Sequence, residues 1–484
     1  MTDVVIVGAG PVGLWLASEL HRSGVEVTVL ERLAEPVPAA KALTLHPRSL
    51  ELLAMRGLAQ RWLDAGKALP SSHFALLDNR LSYAGLDTRF PFVLFIPQPR
   101  TEAMLAEHAS ALGVEVLRDH TVTGVRDEGE SVVVDAESVT GPRSFRARWV
   151  VGCDGPSSTV RKAAGIEFVG TPSTMSVAMG DVRLTDPPEA VSWTVNCDRG
   201  ALFLTALGDG RYRVSPIDHA TLHTAKDAPL TLEELRESTR RVVGTDFGMY
   251  EPTYLARFGN ATLQASRYRS GRILLAGDAA HIHMPLGGQG LNLGMQDASN
   301  LAWKLTAVVN GWAPDTLLDS YEAERYPVGQ RVLEDTRAQT ALVIATTPES
   351  KALRTRFNEM LARHPSLNHE LATQLSGLGV TYPVAGADVL VGQRMPDLDL
   401  GQETTVFGLL RTGRFVLLDL TGDTYADLGP MVDVVHASTM DTSRHPEWED
   451  VRSVLLRPDG HVAWVTRIPA PSAHPHAALL HALT

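Results

Sequence analysis

The start of the chain alternates between two periodicities of apolar residues. Val4–Val7 is a β-branched run typical of a buried parallel strand. Val12, Leu16 and Leu20 then recur at helical spacing, and Val25–Leu30 forms a second apolar run. The pattern therefore predicts a strand, a helix and a second, parallel strand.

Two later segments repeat the order of apolar strand, polar turn and helix. In RARWVVGCDGPSSTVRKAAGI, Trp149–Val151 is typical of a strand, Gly152–Ser158 of a polar turn and Val160–Ala164 of a helix. In GRILLAGDAAHIHMPLGGQGLNLGMQDASNLAWKL, Ile273–Ala276 is the predicted strand, and a helix with an apolar stripe begins near Leu291. Because ligands of α/β proteins bind at the carboxyl ends of parallel strands, both turns are candidate binding loops.

Two other regions have a pattern typical of antiparallel strands. Ala190–Ile217 alternates apolar and polar residues around turns at Asp198–Gly200 and Gly208–Gly210, which predicts a meander. After Tyr382, apolar strands alternate with polar loops, and Pro458–Gly460 joins the last two as a β-hairpin. The sequence therefore predicts an α/β fold that also contains antiparallel sheet.

The turn after the first strand, GAGPVG, has the glycine spacing of a dinucleotide-binding motif. Gly8, Gly10 and Gly13 would permit a tight turn and let backbone amides approach a pyrophosphate at the positive end of the helix. Glu31 follows Gly13 by 18 residues, close to the spacing at which an acidic side chain binds a ribose hydroxyl. The alternative is a glycine-rich turn without a ligand.

Composition limits the classes of function. With 484 residues the chain is long enough for about three domains, and 44 Lys and Arg against 56 Asp and Glu give a net charge of −12, which argues against a nucleic-acid partner. The two cysteines, Cys153 and Cys197, form no Cys-x-x-Cys, so neither a disulfide framework nor a metal site is predicted. The apolar N-terminus lacks the basic region of a signal peptide, and no apolar run reaches the roughly 18 residues of a membrane span. We therefore expect a cytoplasmic protein with no membrane partner.

The three motifs together resemble a known enzyme family. GAGPVG, GCDGPSSTVR and AGDAAHIHMPLGGQGLNLGMQDA, in this order and spacing, are similar to motifs of the single-component FAD-dependent aromatic hydroxylases, the group A flavoprotein monooxygenases. The resemblance extends to Arg48, to TRAQ at Thr336–Gln339 and to LLRPDGHVAW at Leu455–Trp464. It is strongest to the actinobacterial aromatic-polyketide hydroxylases and to rifampicin monooxygenase, and it covers nearly the whole chain.

The resemblance implies a fold of three domains. The first is a dinucleotide-binding, Rossmann-like FAD domain made of residues 1–72, 100–175 and 266–385. The second is an inserted antiparallel-sheet domain for the substrate, made of residues 73–99 and 176–265, and the third is a thioredoxin-like C-terminal domain over residues 386–484. Because both cysteines precede residue 200, dithiol chemistry is excluded from the third domain, and we expect it to be structural or interfacial.

The resemblance also implies a set of cofactor-binding residues, and it assigns neither a metal ligand nor an acid–base catalyst. The FAD-binding residues expected from it are Gly8, Gly10, Pro11, Gly13, Glu31, Arg32, Arg48, Gln98, Asp154, Gly155, Arg161, Gly277, Asp278, Pro285, Gly288, Gly290, Leu291 and Asn292.

Each group in this set has an implied role. The first glycines would face the pyrophosphate, Glu31 the adenosine ribose, and Arg48 and Gln98 the flavin and its phosphates. The middle motif, with Asp154, Gly155 and Arg161, would serve both FAD and NAD(P)H. Asp278 would hold the ribityl chain or the pyrophosphate, and the loop from Pro285 through residues 287–292 would touch the isoalloxazine ring. A solvated surface position is the alternative for Arg48, and packing or hydrogen bonding is the expected role of His281.

The implied reaction is the hydroxylation of a polycyclic aromatic substrate of polyketide, phenol or quinone type. NADPH or NADH reduces FAD, O₂ adds to the reduced flavin, and the C4a-hydroperoxide gives one oxygen atom to the ring. The alternatives are a rifamycin-type or Baeyer–Villiger oxygenation on the same scaffold, and an oxidase or reductase without oxygen transfer. The protein would be a monomer or a homodimer. Where many relatives carry a Ser-Arg pair, this chain has Ala40 and Lys41, so that contact is in doubt.

Overall fold

The computed structural model describes residues 1–37, 42–190, 192–422, 428–467 and 479. The departure at Ala40 and Lys41 lies outside the described residues. Among the described residues, no helix is long and apolar enough to cross a membrane.

Eleven helices occur in the described residues. They are α1 (Pro11–Arg22), α2 (Pro47–Ala54), α3 (Ala59–Ala65), α4 (Gln98–Leu112), α5 (Thr159–Ala163), α6 (Leu232–Val243), α7 (Gln289–Val309), α8 (Asp319–Val343), α9 (Pro348–Arg363), α10 (Pro365–Ser376) and α11 (Val406–Leu409). Short 3-10 turns occur at Gly277–Ala279, Asp315–Leu318, Leu410–Thr412 and Pro446–Trp448.

Twenty-seven strands accompany them in the same residues. They are β1 (Thr2–Val7), β2 (Val27–Leu30), β3 (Thr44–Leu45), β4 (Lys67–Leu69), β5 (Ser71–Ser72), β6 (Leu81–Ser82), β7 (Val93–Phe95), β8 (Glu115–Leu117), β9 (His120–Asp127), β10 (Val132–Ser138), β11 (Gly141–Gly152), β12 (Phe168–Thr171), β13 (Ser176–Leu184), β14 (Ser192–Cys197), β15 (Gly200–Ala206), β16 (Tyr212–Asp218), β17 (Met249–Gly259), β18 (Thr262–Ala265), β19 (Arg269–Ser270), β20 (Ile273–Leu275), β21 (His281–Ile282), β22 (Asp399–Gly401), β23 (Thr404–Thr405), β24 (Phe415–Asp419), β25 (Val432–His436), β26 (Ser453–Leu456) and β27 (Val462–Thr466).

A parallel sheet brings the ends of the predicted strands to one edge. Its order is β19-β20-β11-β1-β2-β8, and the pairs from β20 to β8 are all parallel. Val7 lies opposite Gly152 on one side and Leu30 on the other, and Gly152 lies opposite Leu275. The three sequence motifs therefore leave the sheet side by side, as their strand ends predict.

Element boundaries differ from the sequence prediction where tertiary pairing decides them. The strand predicted over Trp149–Val151 extends back to Gly141, because its first half pairs antiparallel with β10. The helix predicted to begin near Leu291 begins two residues earlier, at Gln289. Helix α7 is buried along most of its length and packs on α1, where Trp15 Nε1 donates to Ser299 Oγ at 2.8 Å.

The predicted meander forms part of a five-stranded antiparallel sheet of order β14-β15-β16-β13-β17. Alternate residues point to opposite faces of a strand, so Leu202 and Leu204 pack with Leu235 of α6 on one face. Ala201 belongs to an apolar cluster on the other face, together with Leu77 of the early excursion. The sheet is thus covered on both sides.

The C-terminal strands form a separate mixed sheet of order β25-β24-β26-β27, with β24 and β25 parallel. The predicted hairpin at Pro458–Gly460 is present, and its turn packs against α7 and α8 rather than facing solvent. Asp459 is buried and accepts from Trp303 Nε1 at 3.3 Å, while Arg457 donates to Glu324 at 2.7 Å. The C-terminal sheet is therefore anchored to α7 and α8 by a buried polar contact.

Candidate functional site

The glycines of the first turn have separable structural roles. Gly8 has φ +105°, and a Cβ on it would lie 2.5 Å from Cys153 O. A Cβ on Gly13 would lie 2.0 Å from Gly8 O, so both positions exclude a side chain by close packing. A Cβ on Gly10 would meet no described atom within 4 Å. The backbone at Gly10 is thus open to a ligand, as the second glycine of a dinucleotide motif requires.

Two helices begin at this edge without a side-chain cap. Gly10 is the N-cap of α1, with Pro11 as its first residue, and Gly288 is the N-cap of α7. Gly288 has φ +67°, and a Cβ on it would lie 2.4 Å from Thr44 Oγ1. The first N–H groups of a helix lack intrahelical acceptors and carry a partial positive charge. Both helix ends can therefore receive the phosphates or anionic groups of a ligand.

Glu31 lies at the end of β2, next to the glycine turn. Its carboxylate accepts from Ala9 N at 2.8 Å and from Leu33 N at 3.0 Å. The side chain is only half-buried, and a carboxylate has further lone pairs for a hydroxyl donor. Glu31 therefore braces the turn and is still able to accept from a ribose. Arg32, beside it, is exposed.

Asp278 lies on the 3-10 turn after β20, and it is exposed. No hydrogen bond to its carboxylate occurs in the part of the chain that the structure describes. A Cβ on Gly290 would lie 3.9 Å from Asp278 Oδ1, so the carboxylate faces the first turn of α7. This arrangement leaves an acidic acceptor available beside the amides of a helix start.

A buried ionic network holds the turn that carries Asp278. Asp297 accepts from Gly277 N at 3.3 Å, from Arg325 Nε at 2.8 Å, and is 2.6 Å from His281 Nε2. Burial raises the pKa of Asp297, but Arg325 and His281 outweigh it and hold that pKa below its usual value. Arg325 also donates to Tyr382 Oη at 3.0 Å. The expectation that His281 has a packing and hydrogen-bonding role is confirmed.

The middle motif is organised differently. Asp154 Oδ1 accepts from Ser158 Oγ at 2.5 Å, and Oδ2 accepts from Thr159 N at 2.7 Å and Val160 N at 3.2 Å. Burial raises the pKa of this carboxyl group, and the hydrogen bonds oppose that shift. Both oxygens are used to start α5. Gly155, with φ +79° and no described atom near its Cβ position, is the open residue of this turn.

Arg161 is not presented to a ligand. Its guanidinium donates to Ala279 O and to Pro156 O, both at 3.0 Å, and lies 3.8 Å from the centre of the Phe168 ring. The side chain is buried. Arg161 therefore fastens the middle turn to the turn of Asp278, and its expected contact with FAD or NAD(P)H stays a prediction.

Arg48 and Asn292 also have protein partners in place of the expected cofactor. Arg48 is buried and donates to Glu51 at 2.8 Å and to the Asp459 carbonyl at 2.6 Å, so it faces the C-terminal hairpin and not the glycine turn. The Asn292 amide accepts from His46 N and Ser49 Oγ and donates to two backbone carbonyls, which uses its donors and its oxygen. Both side chains thus hold neighbouring protein segments together, and the contacts of Arg48 and Asn292 with a flavin stay predictions.

The remaining predicted residues lie around the same opening. Gln98, at the start of α4, accepts from Ala42 N at 3.0 Å and donates its own N–H to Ala42 O at 2.9 Å. Pro285 is exposed and Leu291 is half-buried, both beside the start of α7. They are thus placed at the mouth of the site with their surfaces accessible.

An apolar cluster adjoins this opening. Its members come from residues 74–86, the five-stranded sheet, the loop before α7 and helices α8–α10, and include Leu77, Tyr83, Ala201, Met284 and Leu375. This cluster, called the substrate-side cluster below, joins the loop before α7 to the inserted sheet.

The substrate-side cluster has one polar neighbour that the sequence pattern does not single out. His73 Nδ1 is buried and has no hydrogen-bond partner in the described residues, and its ring lies 5.9 Å from that of Phe203. Burial, with a smaller contribution from Arg80, lowers the pKa of His73 to about 4, so the ring is neutral. A lone histidine between apolar residues carries no motif, and only the contact with the cluster identifies it.

The backbone next to His73 is strained. Ala75 and Leu76 both have φ +50°, a region that non-glycine residues seldom adopt. Arg354 donates to both of their carbonyls, at 3.2 and 2.8 Å, and Asn196 Nδ2 also donates to Leu76 O. Such strain persists only where surrounding contacts enforce it, and it is frequent at binding sites.

A polar bridge connects this strained segment with α7. Asp335 accepts from Gln289 Nε2 at 3.0 Å and from Gln339 Nε2 at 2.8 Å, while Gln339 Oε1 accepts from Ala75 N at 3.2 Å. Burial raises the pKa of Asp335. The start of α7 and the segment beside His73 are therefore held in one arrangement.

The geometry fits a ligand that carries both anionic groups and hydroxyl groups. Two uncapped helix starts, the open backbone of Gly10, and the acidic acceptors Glu31 and Asp278 lie along one sheet edge. The helix starts suit phosphates and other anionic groups, and the carboxylates suit hydroxyl groups.

Comparison with known proteins agrees with this geometry. A family model described as FAD binding domain matches residues 1–336, and one described as aromatic-ring hydroxylase, C-terminal, matches residues 388–484. The chain is 45% identical over 478 residues to an uncharacterized aromatic compound monooxygenase of Bacillus subtilis, YhjG, covering 97% of this chain and 95% of that protein.

Two further relatives extend the likeness. The rifampicin monooxygenase of Streptomyces venezuelae is 43% identical over 491 residues, with 97% of this chain and 98% of that protein covered. The solved structure of the anhydrotetracycline hydroxylase OxyS from Streptomyces rimosus superimposes with a TM-score of 0.89 at 41% identity, covering 96% of this chain and 95% of that one.

Proposed function

The chain belongs to the family of FAD-binding aromatic-ring hydroxylases, and from this we propose that it is an NAD(P)H-consuming monooxygenase acting on a polycyclic aromatic substrate of polyketide, phenol or quinone type. The observation that carries the proposal is the meeting of two uncapped helix starts with the substrate-side cluster. One opening thus offers polar contacts for a flavin dinucleotide and apolar contacts for an aromatic ring system.

The residues proposed to hold FAD are a subset of those expected from the sequence. Gly10 and the first turn of α1 face the pyrophosphate, and Glu31 accepts from the adenosine ribose. Asp278 accepts from the flavin half, and the first turn of α7 supports the isoalloxazine ring. Arg48, Arg161 and Asn292 support these loops through protein contacts.

FAD, when bound and reduced by NADPH or NADH, would activate O₂; one oxygen atom of O₂ would go to the substrate and the other would leave as water. The protein's part is to orient the substrate and to exclude water. The substrate-side cluster supplies apolar contacts, and neutral His73 offers one polar contact to a hydroxyl or carbonyl of the substrate. The route of oxygen transfer and the choice of nicotinamide stay predictions.

The domain division stays part of the proposal. We assign residues 1–72, 100–175 and 266–385 to a Rossmann-like FAD domain, 73–99 and 176–265 to the substrate domain, and 386–484 to a thioredoxin-like domain. The mixed order β25-β24-β26-β27 supports the last assignment. The buried hairpin contact at Asp459 supports an interfacial role for it.

The proposal is tested with purified protein loaded with FAD. NAD(P)H oxidation should be slow alone and accelerate with the right member of a panel of aromatic polyketides, naphthoquinones and ansamycins. Mass analysis under ¹⁸O₂ should then find one labelled oxygen in a new hydroxyl group. Label in a ring-expanded lactone would favour Baeyer–Villiger oxygenation. Stoichiometric H₂O₂ with every compound would favour an oxidase.

A further inference from the structure

His283 has a buried ring nitrogen without a partner among the described residues near the opening, and the family motifs give it no role. It lies in the loop before α7, where its Nδ1 is 2.9 Å from Met284 O. Its Nε2 is buried and has no partner among the described residues. A Cβ on Gly290 would lie 3.6 Å from this Nε2 and 3.9 Å from Asp278 Oδ1. The imidazole nitrogen and the carboxylate thus face the same space, over the first turn of α7.

The hydrogen-bond pattern fixes the chemical character of the free nitrogen. A carbonyl oxygen only accepts, so Nδ1 of His283 must carry the proton in its contact with Met284 O. In the neutral ring Nε2 then presents a lone pair. Burial lowers the pKa of His283, so the neutral ring is the form at pH 7. Nε2 and the Asp278 carboxylate are therefore two acceptors without donors.

Two acceptors that face one space select a ligand group with more than one donor. A phosphate is excluded from that space, because it only accepts and is negatively charged. The edge of a flavin ring carries a single N–H donor. A chain of adjacent hydroxyl groups satisfies both acceptors, and each hydroxyl can also accept from the first-turn amides of α7.

The resemblance already implies that Asp278 holds the ribityl chain of FAD; we propose that His283 Nε2 binds the same ribityl hydroxyl groups, acting as a hydrogen-bond acceptor. The inference rests on the proposed function, because it takes FAD to be the ligand. It adds a cofactor-binding residue outside the set expected from the sequence.

The test measures the FAD dissociation constant of the protein freed of FAD, by quenching of flavin fluorescence. His283→Leu should raise it about 5- to 30-fold, the size expected for one or two lost hydrogen bonds. His283→Gln places an amide oxygen near the position of Nε2 and should recover most of the affinity. His283→Asn is able to donate to Met284 O but does not reach the position of Nε2, so it should bind as weakly as Leu.

The matched control is His219→Leu. His219 also has a buried Nε2 without a partner among the described residues, but it lies in the inserted sheet domain, so its loss should leave FAD affinity unchanged. FAD analogues that lack ribityl hydroxyl groups should bind equally to the wild-type protein and to His283→Leu. Melting temperatures of the FAD-free variants check that each one folds.

Gly290→Ala is a steric version of the same test. The added methyl is at ordinary contact distance from both acceptors in the free protein, so stability should not fall. It occupies the space assigned to the ribityl chain, so FAD affinity should fall at least tenfold.

The inference is overturned if His283→Leu binds FAD within twofold of wild type, if Gln is as weak as Leu, or if Asn equals wild type. A wild-type protein that does not bind FAD contradicts the proposed function instead, which keeps the two failures apart.

Discussion

Asp154 and Asp278 each follow a strand of the same parallel sheet, yet their carboxylates have different partners. Asp154 uses both oxygens to hold Ser158 and the first amides of α5. Asp278 is exposed, and none of the described residues donates to it. The resemblance implies that both acids serve a cofactor, whereas in the structure Asp154 holds its own turn together and Asp278 has no donor among the described residues.

The difference has a physical origin in what supports each turn. At Asp278 a second acid, Asp297 from α7, is buried below the turn and accepts from Gly277 N. Arg325 balances the charge of Asp297, and His281 Nε2 lies 2.6 Å from the same carboxylate, so no surface carboxylate is needed to close the turn. The middle turn has Asp154 alone for this purpose. An acid is thus available for binding where another acid already holds the backbone.

The largest expected effect is a loss of stability when Asp297, which supports the turn of Asp278, is replaced. Asp297→Ala leaves Arg325 and His281 buried without their partner and should lower the free energy of unfolding by about 3–5 kcal/mol. Chemical denaturation of the FAD-free protein measures this. Asp297→Asn, which keeps an acceptor oxygen, should lose less. A stability equal to wild type for the Ala variant would mean that Asp297 does not support the turn.

Removing the exposed acid should affect binding and not stability. Asp278→Ala loses a charge-assisted hydrogen bond to the cofactor worth about 1.5–3 kcal/mol, which is roughly a 10- to 150-fold rise in the FAD dissociation constant. The melting temperature of the FAD-free protein should stay the same, because the described contacts of Asp278 include no hydrogen bond. Unchanged flavin affinity would remove Asp278 from the site.

Replacing Asp154, the acid of the middle motif, should lower stability more than FAD affinity. Asp154→Ala removes the acceptor of the Thr159 and Val160 amides at the start of α5 and should cost about 1–2 kcal/mol of stability. FAD affinity of the folded fraction should change less than in Asp278→Ala. Asp154→Asn is the control, since its amide oxygen still accepts from one backbone amide. A large loss of FAD affinity at unchanged stability would restore Asp154 as a direct ligand and break the comparison.

The smallest effect concerns pH and the support of α7. Burial lowers the pKa of His46, which lies beneath Gly288, from 6.5 to about 4. Below pH 6.5 the unfolded chain takes up a proton that the folded protein does not, so stability present above pH 6.5 is lost as the pH falls toward 4, by about 1.4 kcal/mol per pH unit. Denaturation at pH 7 and pH 5.5 measures the loss.

His46→Gln should reduce that pH dependence, since it removes the titrating group. Asp154 contributes in the opposite sense, because its raised pKa makes the folded protein the better proton binder. An equal pH dependence in His46→Gln and wild type would show that His46 is not buried as a neutral ring.

The local elements follow from short-range pattern. The β-branched run before Gly8, the helical spacing after it and the hairpin at Pro458–Gly460 all appear where the sequence predicts them. The sequence also predicts that the three motif turns lie close together, because each turn follows a parallel strand and the carboxyl ends of parallel strands lie at one edge of the sheet. These features depend on steric limits of the backbone and on burial of apolar faces, which neighbouring residues determine.

Only the tertiary structure decides which hydrogen-bond partner each polar side chain has. Arg48 finds its carbonyl partner at Asp459, 411 positions away, and Arg161 finds one at Ala279, 118 positions away. No local spacing indicates that these guanidinium groups already have protein partners, or that His73 Nδ1 and His283 Nε2 have none among the described residues. The sequence by itself determined the mixed α/β fold class and the sheet edge at which the three motif turns meet. Long-range packing decided which side chains build that edge and which remain free to bind, because a buried donor or acceptor takes whichever partner the folded chain brings within about 3 Å.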